Sequence, residues 1–175
     1  IFRYVNLPAT HPLNKLGRPA EFRYRFVDSG AGQAVESTDY RVVAGVKGTF
    51  STYDWEASVS SLGSKVDALS RGSFSDSGFK ELIGDYNNPG ADFFNKPNGY
   101  KIGQVNSPEV LNRLFPNYGY KGETKQTVLD GKISGELMQM AAGPLGMALG
   151  GEARHEKHEI DPTANLRTGD IVGNG

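Results

Sequence analysis

One stretch constrains the fold more than any other: KISGELMQMAAGPLGMALGGEARHEKHE, residues 132–159. Two arms of alternating apolar and polar residues flank the small-residue centre AAGPLG. On the first arm Leu129, Gly131, Ile133, Gly135 and Leu137 share a face, against Asp130, Lys132, Ser134 and Glu136. On the second, Leu145, Met147, Leu149, Gly151 and Ala153 oppose Glu152, Arg154 and Glu156. A repeat of two belongs to strands, whose side chains point alternately to the two faces of a sheet. The segment therefore reads as a β-hairpin, and the question it poses is what meets its apolar face.

The same period recurs upstream. EFRYRFVD sets Phe22, Tyr24 and Phe26 against Arg23 and Arg25. After the link SGAGQAVES, DYRVVAGVKGTF places Tyr40, Val42, Ala44, Val46, Gly48 and Phe50 on one side. Arg41, Val43, Gly45, Lys47 and Thr49 form a mixed other side. STYD reads as a tight turn, and WEASVSSLGSKV continues with Trp55, Ala57 and Val59 opposite Glu56, Ser58 and Ser60. These are strand signals joined by turn chemistry. Residues 1–20 and the closing HEIDPTANLRTGDIVGNG read as polar loops.

Between 67 and 125 the alternation stops, and this region is expected to be one long loop. SGFKELIG, with Phe79, Leu82 and Ile83 at helical spacing, predicts a short helical turn. SPEVLNRLF predicts another, with Ser107 as N-cap, Pro108 at the first helical position and Glu109 near the positive dipole end. Compact soluble domains seldom hold connections beyond ~12–15 residues.

Tight turns at STYD and AAGP on either side of a long excursion are how outer-membrane barrels are built. The arms suit the ~9–11 residues of a tilted membrane strand. Phe50, Tyr53 and Trp55 crowd one tight turn, where a barrel carries interfacial aromatics. A soluble β-sandwich would also alternate. Against it stand a polar face charged along its whole length, an apolar face diluted by glycine and alanine, and the length of the excursion. The expected fold is all-β: antiparallel transmembrane β-barrel strands, forming part of a barrel, with long extracellular loops containing short helical turns. A soluble all-β binding or structural module with a long insertion is the alternative.

Composition narrows the function. With 19 basic and 20 acidic residues, the net charge of −1 offers nothing to a nucleic acid. No window approaches the ~20 apolar residues of a membrane helix. Cysteine is absent, which removes disulfides, thiol catalysis and cysteine-based zinc sites. The chain opens on Ile1 without a leader and is expected to be an internal piece of something longer.

The segments RVVAGVKGTFSTYDWEASVS and LDGKISGELMQMAAGPLGMALGGEARHE resemble the barrel of TonB-dependent outer-membrane receptors. That group often shows a Y-D-W turn and a D-G-x-x-S-G-x-L … AGPLG-x-A-x-GGE-x-R-x-E hairpin. Here stand Tyr53-Asp54-Trp55, Asp130-Gly131, Ser134-Gly135, Ala142-Gly143-Pro144-Leu145-Gly146, Gly150-Gly151-Glu152 and Arg154. The likeness runs from about 22 to 170 and is most specific in the hairpin. It implies a barrel of about 22 strands plugged by an N-terminal domain, of which residues 1–175 would supply about five strands. Neither plug nor TonB box is present in the chain. The resemblance further implies location in the outer membrane, lipid as surroundings, coupling to the TonB complex through the absent plug region, and uptake of a scarce nutrient such as a siderophore or carbohydrate.

Candidate residues follow. Tyr86, Phe93, Phe94, Tyr100, Tyr118 and Tyr120, among asparagines in the excursion, are where a small ligand such as a sugar or chelate would be captured, the alternative being that they only pack the loop upon itself. Lys132, Glu136, Glu152 and Arg154 are expected to face a wet lumen and pair across strands. His155 and His158 in HEKHE lie at i and i+3, which on a strand puts them on opposite faces, so a metal site is not expected. DYNNPGAD lacks the spacing of a calcium loop. His11 is expected to be exposed in a loop. No nucleophile elbow, phosphate loop or carboxylate pair appears, so neither catalytic residues nor a cofactor is expected.

Overall fold

A computed structural model describes residues 5–173. Residues 1–4 of the expected opening loop and the last two of the closing one lie outside the described residues. The chain is mostly β and antiparallel, and it divides into two compact units. One is built from residues 35–67 and 121–161, the other from the segments up to 34, 68–120 and from 162 onward.

The first unit is a sheet. β3 (Gly32–Phe50), β4 (Tyr53–Arg71), β5 (Tyr118–Met140) and β6 (Gly143–Pro162) follow one another in the order β3-β4-β5-β6. The two tight turns fall at residues 51–52 and 141–142, as the alternation predicts. With 19 to 23 residues each, the strands are far longer than the ~3–10 usual in globular proteins. The four form an open sheet, and the described residues close no barrel.

Cross-strand contacts fix which residues share a face. Thr49 Oγ1 donates to Asp54 Oδ1 at 2.8 Å, Lys132 Nζ reaches Glu56 at 2.8 Å, and Ser58 donates to Asp130. The opposite face is marked by aromatic rings laid over glycines. A Cβ on Gly63 would lie 2.2 Å from the Tyr40 ring, one on Gly48 3.0 Å from Trp55, and one on Gly135 2.7 Å from Tyr53. Each ring covers backbone that the glycine leaves bare, a device that pins register.

The second unit has a core of its own. β1 (Val5–Leu7) pairs antiparallel with β2 (Ala20–Phe22), Val5 opposite Phe22 and Leu7 opposite Ala20. α1 (Asp76–Leu82) and α2 (Pro108–Leu114) begin where their caps require. Ser75 Oγ accepts from Gly78 N at 2.9 Å, and Ser107 Oγ from Val110 N at 3.4 Å, with Pro108 in the first turn. Phe79, Leu82 and Ile83 are buried together with Val5, Leu7, Phe26, Phe93, Phe94, Tyr100, Leu114 and Phe115. Phe26 is the hub: its ring lies 4.8 Å from Tyr24, 5.0 Å from both Phe74 and Tyr100, and 5.6 Å from Phe115, mostly edge to face. Such pairs add roughly 0.5–1.5 kcal/mol each beyond the area they bury.

Four expectations are corrected. EFRYRFVD is not a fifth long strand: only Ala20–Phe22 is β, and Tyr24 and Phe26 turn into the aromatic core instead. Alternating aromatics in an extended segment look identical whether they line a sheet or plug a cluster. β3 starts at Gly32, so six of the nine residues of the expected SGAGQAVES link are strand. The excursion runs over 72–117, because β4 and β5 extend into the predicted loop at both ends. The closing segment is also ordered, with β6 reaching Pro162 and a short helix, α3 (Ala164–Arg167), after it.

That closing segment ties into the excursion through Ser75, which is fully buried. The Ser75 hydroxyl donates to Asp170 Oδ2, Asp170 Oδ1 accepts from Ser77 N at 2.8 Å, and Ser75 bridges Ile171 as a β-pair. Ser75→Ala removes the helix cap and leaves Asp170 short of a donor. It is expected to cost about 1–2 kcal/mol, measurable as a shift in the denaturation midpoint.

Candidate functional site

The charged face of the sheet forms as the alternation predicts. Lys132 pairs with Glu56 across strands, whereas Arg154 pairs with Glu152 at 2.9 Å along its own strand rather than across to a neighbour as expected. Gln126 Nε2 donates to Glu156 at 2.8 Å, and the Thr124 hydroxyl meets His158 Nδ1 at 3.0 Å. Glu136 is exposed near the 141–142 turn. Val43, Met138 and Met140 interrupt this polar face with exposed apolar groups. His155 and His158 both lie within β6, on opposite faces by alternation. No cluster of metal-ligating side chains occurs among the described residues.

The other face is apolar over a limited height and uncovered. Val42 is 63% exposed, Val46 62%, Phe50 76%, Leu129 58% and Leu149 68%. The other sheet among the described residues is the small β1–β2 pair, which belongs to the second unit. Large contiguous apolar surface left bare on a folded chain marks a place where something other than water sits. The band begins at Phe50, Tyr53 and Trp55 beside the tight turn and ends at Tyr40, so aromatic rings bound it on both sides. Tyr40 is a boundary residue the sequence reading did not single out. Its partner Gly63, the next small residue in the alternation, was the only available signal.

Beyond Tyr40 the same face turns to charge: Lys65 pairs with Glu123 at 3.7 Å, Lys121 with Asp67 at 3.4 Å, and Lys125 with Glu123 at 2.9 Å. Exposed pairs of this kind contribute ~0–1 kcal/mol each. Their meaning is positional, because they mark where the apolar band stops.

The six aromatic candidates of the excursion part company. Phe93, Phe94 and Tyr100 are buried core residues and do not offer their rings to solvent. Tyr86 is half-buried, its ring 5.6 Å from Phe79 and its hydroxyl donating to Asp76 Oδ1 at 2.8 Å. Tyr118 is half-buried with its hydroxyl 3.0 Å from Ser73 Oγ, and Tyr120 is 44% exposed on β5. The Tyr100 hydroxyl donates to Asp28 Oδ1 at 2.8 Å and lies 3.2 Å from Tyr24 Oη. Burial pushes the Tyr100 phenol far above its ordinary value, with Tyr24 and the Asp28 carboxylate adding to the rise. It stays protonated and acts as a fixed donor. DYNNPGAD folds on itself, Asp85 Oδ1 accepting from Asn87 N at 2.9 Å and Asp92 pairing with Lys96 at 3.4 Å.

His11 is another correction, for it is buried, 2% exposed, with Nδ1 accepting from Leu13 N at 3.1 Å. That bond caps the turn after Pro8 and draws the ring inward.

Two carboxyls of this unit sit below their ordinary values. For Asp76 the hydrogen bond from Lys80 is the main cause, with Tyr86 adding to it against partial burial. For Asp170 burial pushes upward, but Ser75, Ser77 and the Arg113 charge together pull the carboxyl down. A depressed folded value means the stabilisation is present above the unfolded pKa of ~3.9 and is lost as pH falls through the folded value. The contributions of these two carboxylates are therefore expected to be present at neutral pH and to be lost below about pH 4. Asp170→Asn should flatten that acid limb in a pH series of denaturation midpoints.

No family model matches this chain, and no curated protein matches it.

Proposed function

We propose that the chain is part of the β-barrel of a TonB-dependent outer-membrane receptor, which takes up a scarce nutrient such as a siderophore or carbohydrate. The observation that carries this reading is the bare apolar band on β3–β6. On β3 it spans residues 42–50. At ~3.3 Å per residue and ~45° tilt those residues rise about 21 Å, close to the ~25 Å apolar belt of such barrels. Aromatic rings at both limits and paired charges above the upper one fit the same surroundings. Lipid needs only a smooth apolar surface, so the glycine and alanine dilution of the band costs nothing there. A facing sheet would require large side chains to interlock.

In this reading the turns at 51–52 and 141–142 lie at the periplasmic edge and the excursion over 72–117 is outside the cell. Lys132, Glu56, Glu136, Glu152 and Arg154 line the aqueous lumen, where Lys132 is neutralised by Glu56 across strands and Arg154 by Glu152 on its own strand. Both sheet edges, β3 and β6, must be met by further strands, because open edges are not tolerated in hydrocarbon. Capture would fall to the external segments and energy coupling to the plug and TonB.

The test uses the full-length protein in its parent cells. It should fractionate with the outer membrane and migrate differently before and after heating in detergent gels. A protein recovered in the soluble fraction, indifferent to heating, would establish instead a soluble all-β module.

A further inference from the structure

The aromatic unit contains a cleft that none of the sequence candidates touches. Tyr24, Phe26, Phe74 and Phe115 supply its rings, Arg25 and Ser29 its polar groups, and its volume of about 380 Å³ falls within the ~300–1,000 Å³ range of small-molecule sites. Its single charged lining residue is positive. Arg25 is exposed and forms no ion pair among the described residues.

A second arginine lies next in sequence to the lining. Arg71 adjoins Gly72 of the cleft lining, and its Nε comes within 3.9 Å of where a Cβ on Gly30 would sit, next to Ser29. Its Nη2 donates to the neutral Asn112 Oδ1 at 2.9 Å, while Nε is buried without a hydrogen-bond partner. The nearby carboxylate, Asp28, is engaged by Tyr100 and Asn106. Among the described residues neither Arg25, in the cleft lining, nor Arg71, adjoining Gly72, has a carboxylate partner, and buried N–H groups ordinarily find acceptors.

We propose that this cleft binds a small organic anion with a flat aromatic or heteroaromatic body, the body against the Tyr24 and Phe74 rings and the acid group on Arg25. Guanidinium matches a carboxylate in a two-pronged geometry that a lysine cannot reproduce. Ring faces set the flat body, since offset and edge contacts need an aromatic partner. The proposal goes beyond the receptor reading and is independent of what meets the sheet's apolar face.

The test is titration calorimetry on the full-length protein, with 2-naphthoate as probe and 2-naphthylmethanol as its uncharged counterpart. The naphthoate should bind one to one and at least about tenfold more tightly than the alcohol. Arg25→Gln, at an exposed position, should abolish that difference while leaving the circular dichroism spectrum unchanged, and Arg25→Lys should restore part of it. Equal affinities for the two probes, no binding of naphthoate, or an Arg25→Gln protein that still prefers the anion would each overturn the proposal.

Discussion

Leu149→Arg should destabilise the full-length protein in lipid vesicles by about 2–4 kcal/mol, the toll for a cation near the middle of a bilayer on the lipid side of a barrel. Leu149 lies in the apolar band of β6 and is 68% exposed. In water the replacement of so exposed a leucine by arginine would be nearly free. The cost thus reports the solvent around the side chain. Ala148, its neighbour on the charged face, provides the control: Ala148→Arg should change stability by less than about 1 kcal/mol. The pair is read from urea denaturation midpoints in vesicles, with the slope checked for constancy.

Gly78→Ala is the second large effect, and it acts on the other unit. The helices α1 and α2 approach so closely at this point that a Cβ on Gly78 would stand 2.2 Å from the Arg113 carbonyl oxygen and 3.1 Å from Ser75 Oγ. Neither obstacle is the tip of a flexible side chain: one is backbone, and the other is the helix cap already committed to Asp170. The helices must separate, opening the buried cluster of Phe79, Leu114 and Phe115. A cost of about 1–3 kcal/mol or more is expected, seen as faster amide exchange and proteolytic nicking within residues 72–117. Gly151→Ala on β6, where a Cβ meets nothing within 4 Å, should be nearly neutral.

The strands were legible because the period of two persists over the arms of both hairpins and each turn is marked by small or polar residues. The helices were legible through their caps, since Ser75 and Ser107 occupy the positions where a hydroxyl satisfies the first amides. What stayed hidden depended on partners remote in sequence. Phe22, Tyr24 and Phe26 alternate like a strand, and only the distant Phe74, Phe94 and Phe115 decide that they become core. The Ser75–Asp170 bond joins residues 95 positions apart. Phe94 takes a left-handed backbone with φ of 54°, held by its N–H on Ile83 O at 2.8 Å. A bulky residue seldom adopts that conformation, and nothing local announces it.

The candidate residues divide along the same line. Lys132, Glu136, Glu152 and Arg154 could be assigned a common face because alternation fixes direction along a strand. The aromatic candidates could not, for composition counts rings without telling which way they point. Phe93, Phe94 and Tyr100 point inward, whereas the cleft belongs to rings from segments that looked like a strand and a loop.

If β6 belongs to a membrane barrel, its odd-numbered residues meet lipid and its even-numbered ones meet water. Residues 1–175 contain no cysteine, so single cysteines at positions 145 through 150 can carry nitroxide labels in a full-length protein in which any cysteine outside these residues is replaced by serine. In vesicles, labels at 145, 147 and 149 should be relaxed by oxygen, which concentrates in hydrocarbon, and those at 146, 148 and 150 by a water-soluble nickel chelate. Labels at 145, 147 and 149 that respond to the nickel chelate, or to neither agent, would mean that this face of β6 does not meet lipid.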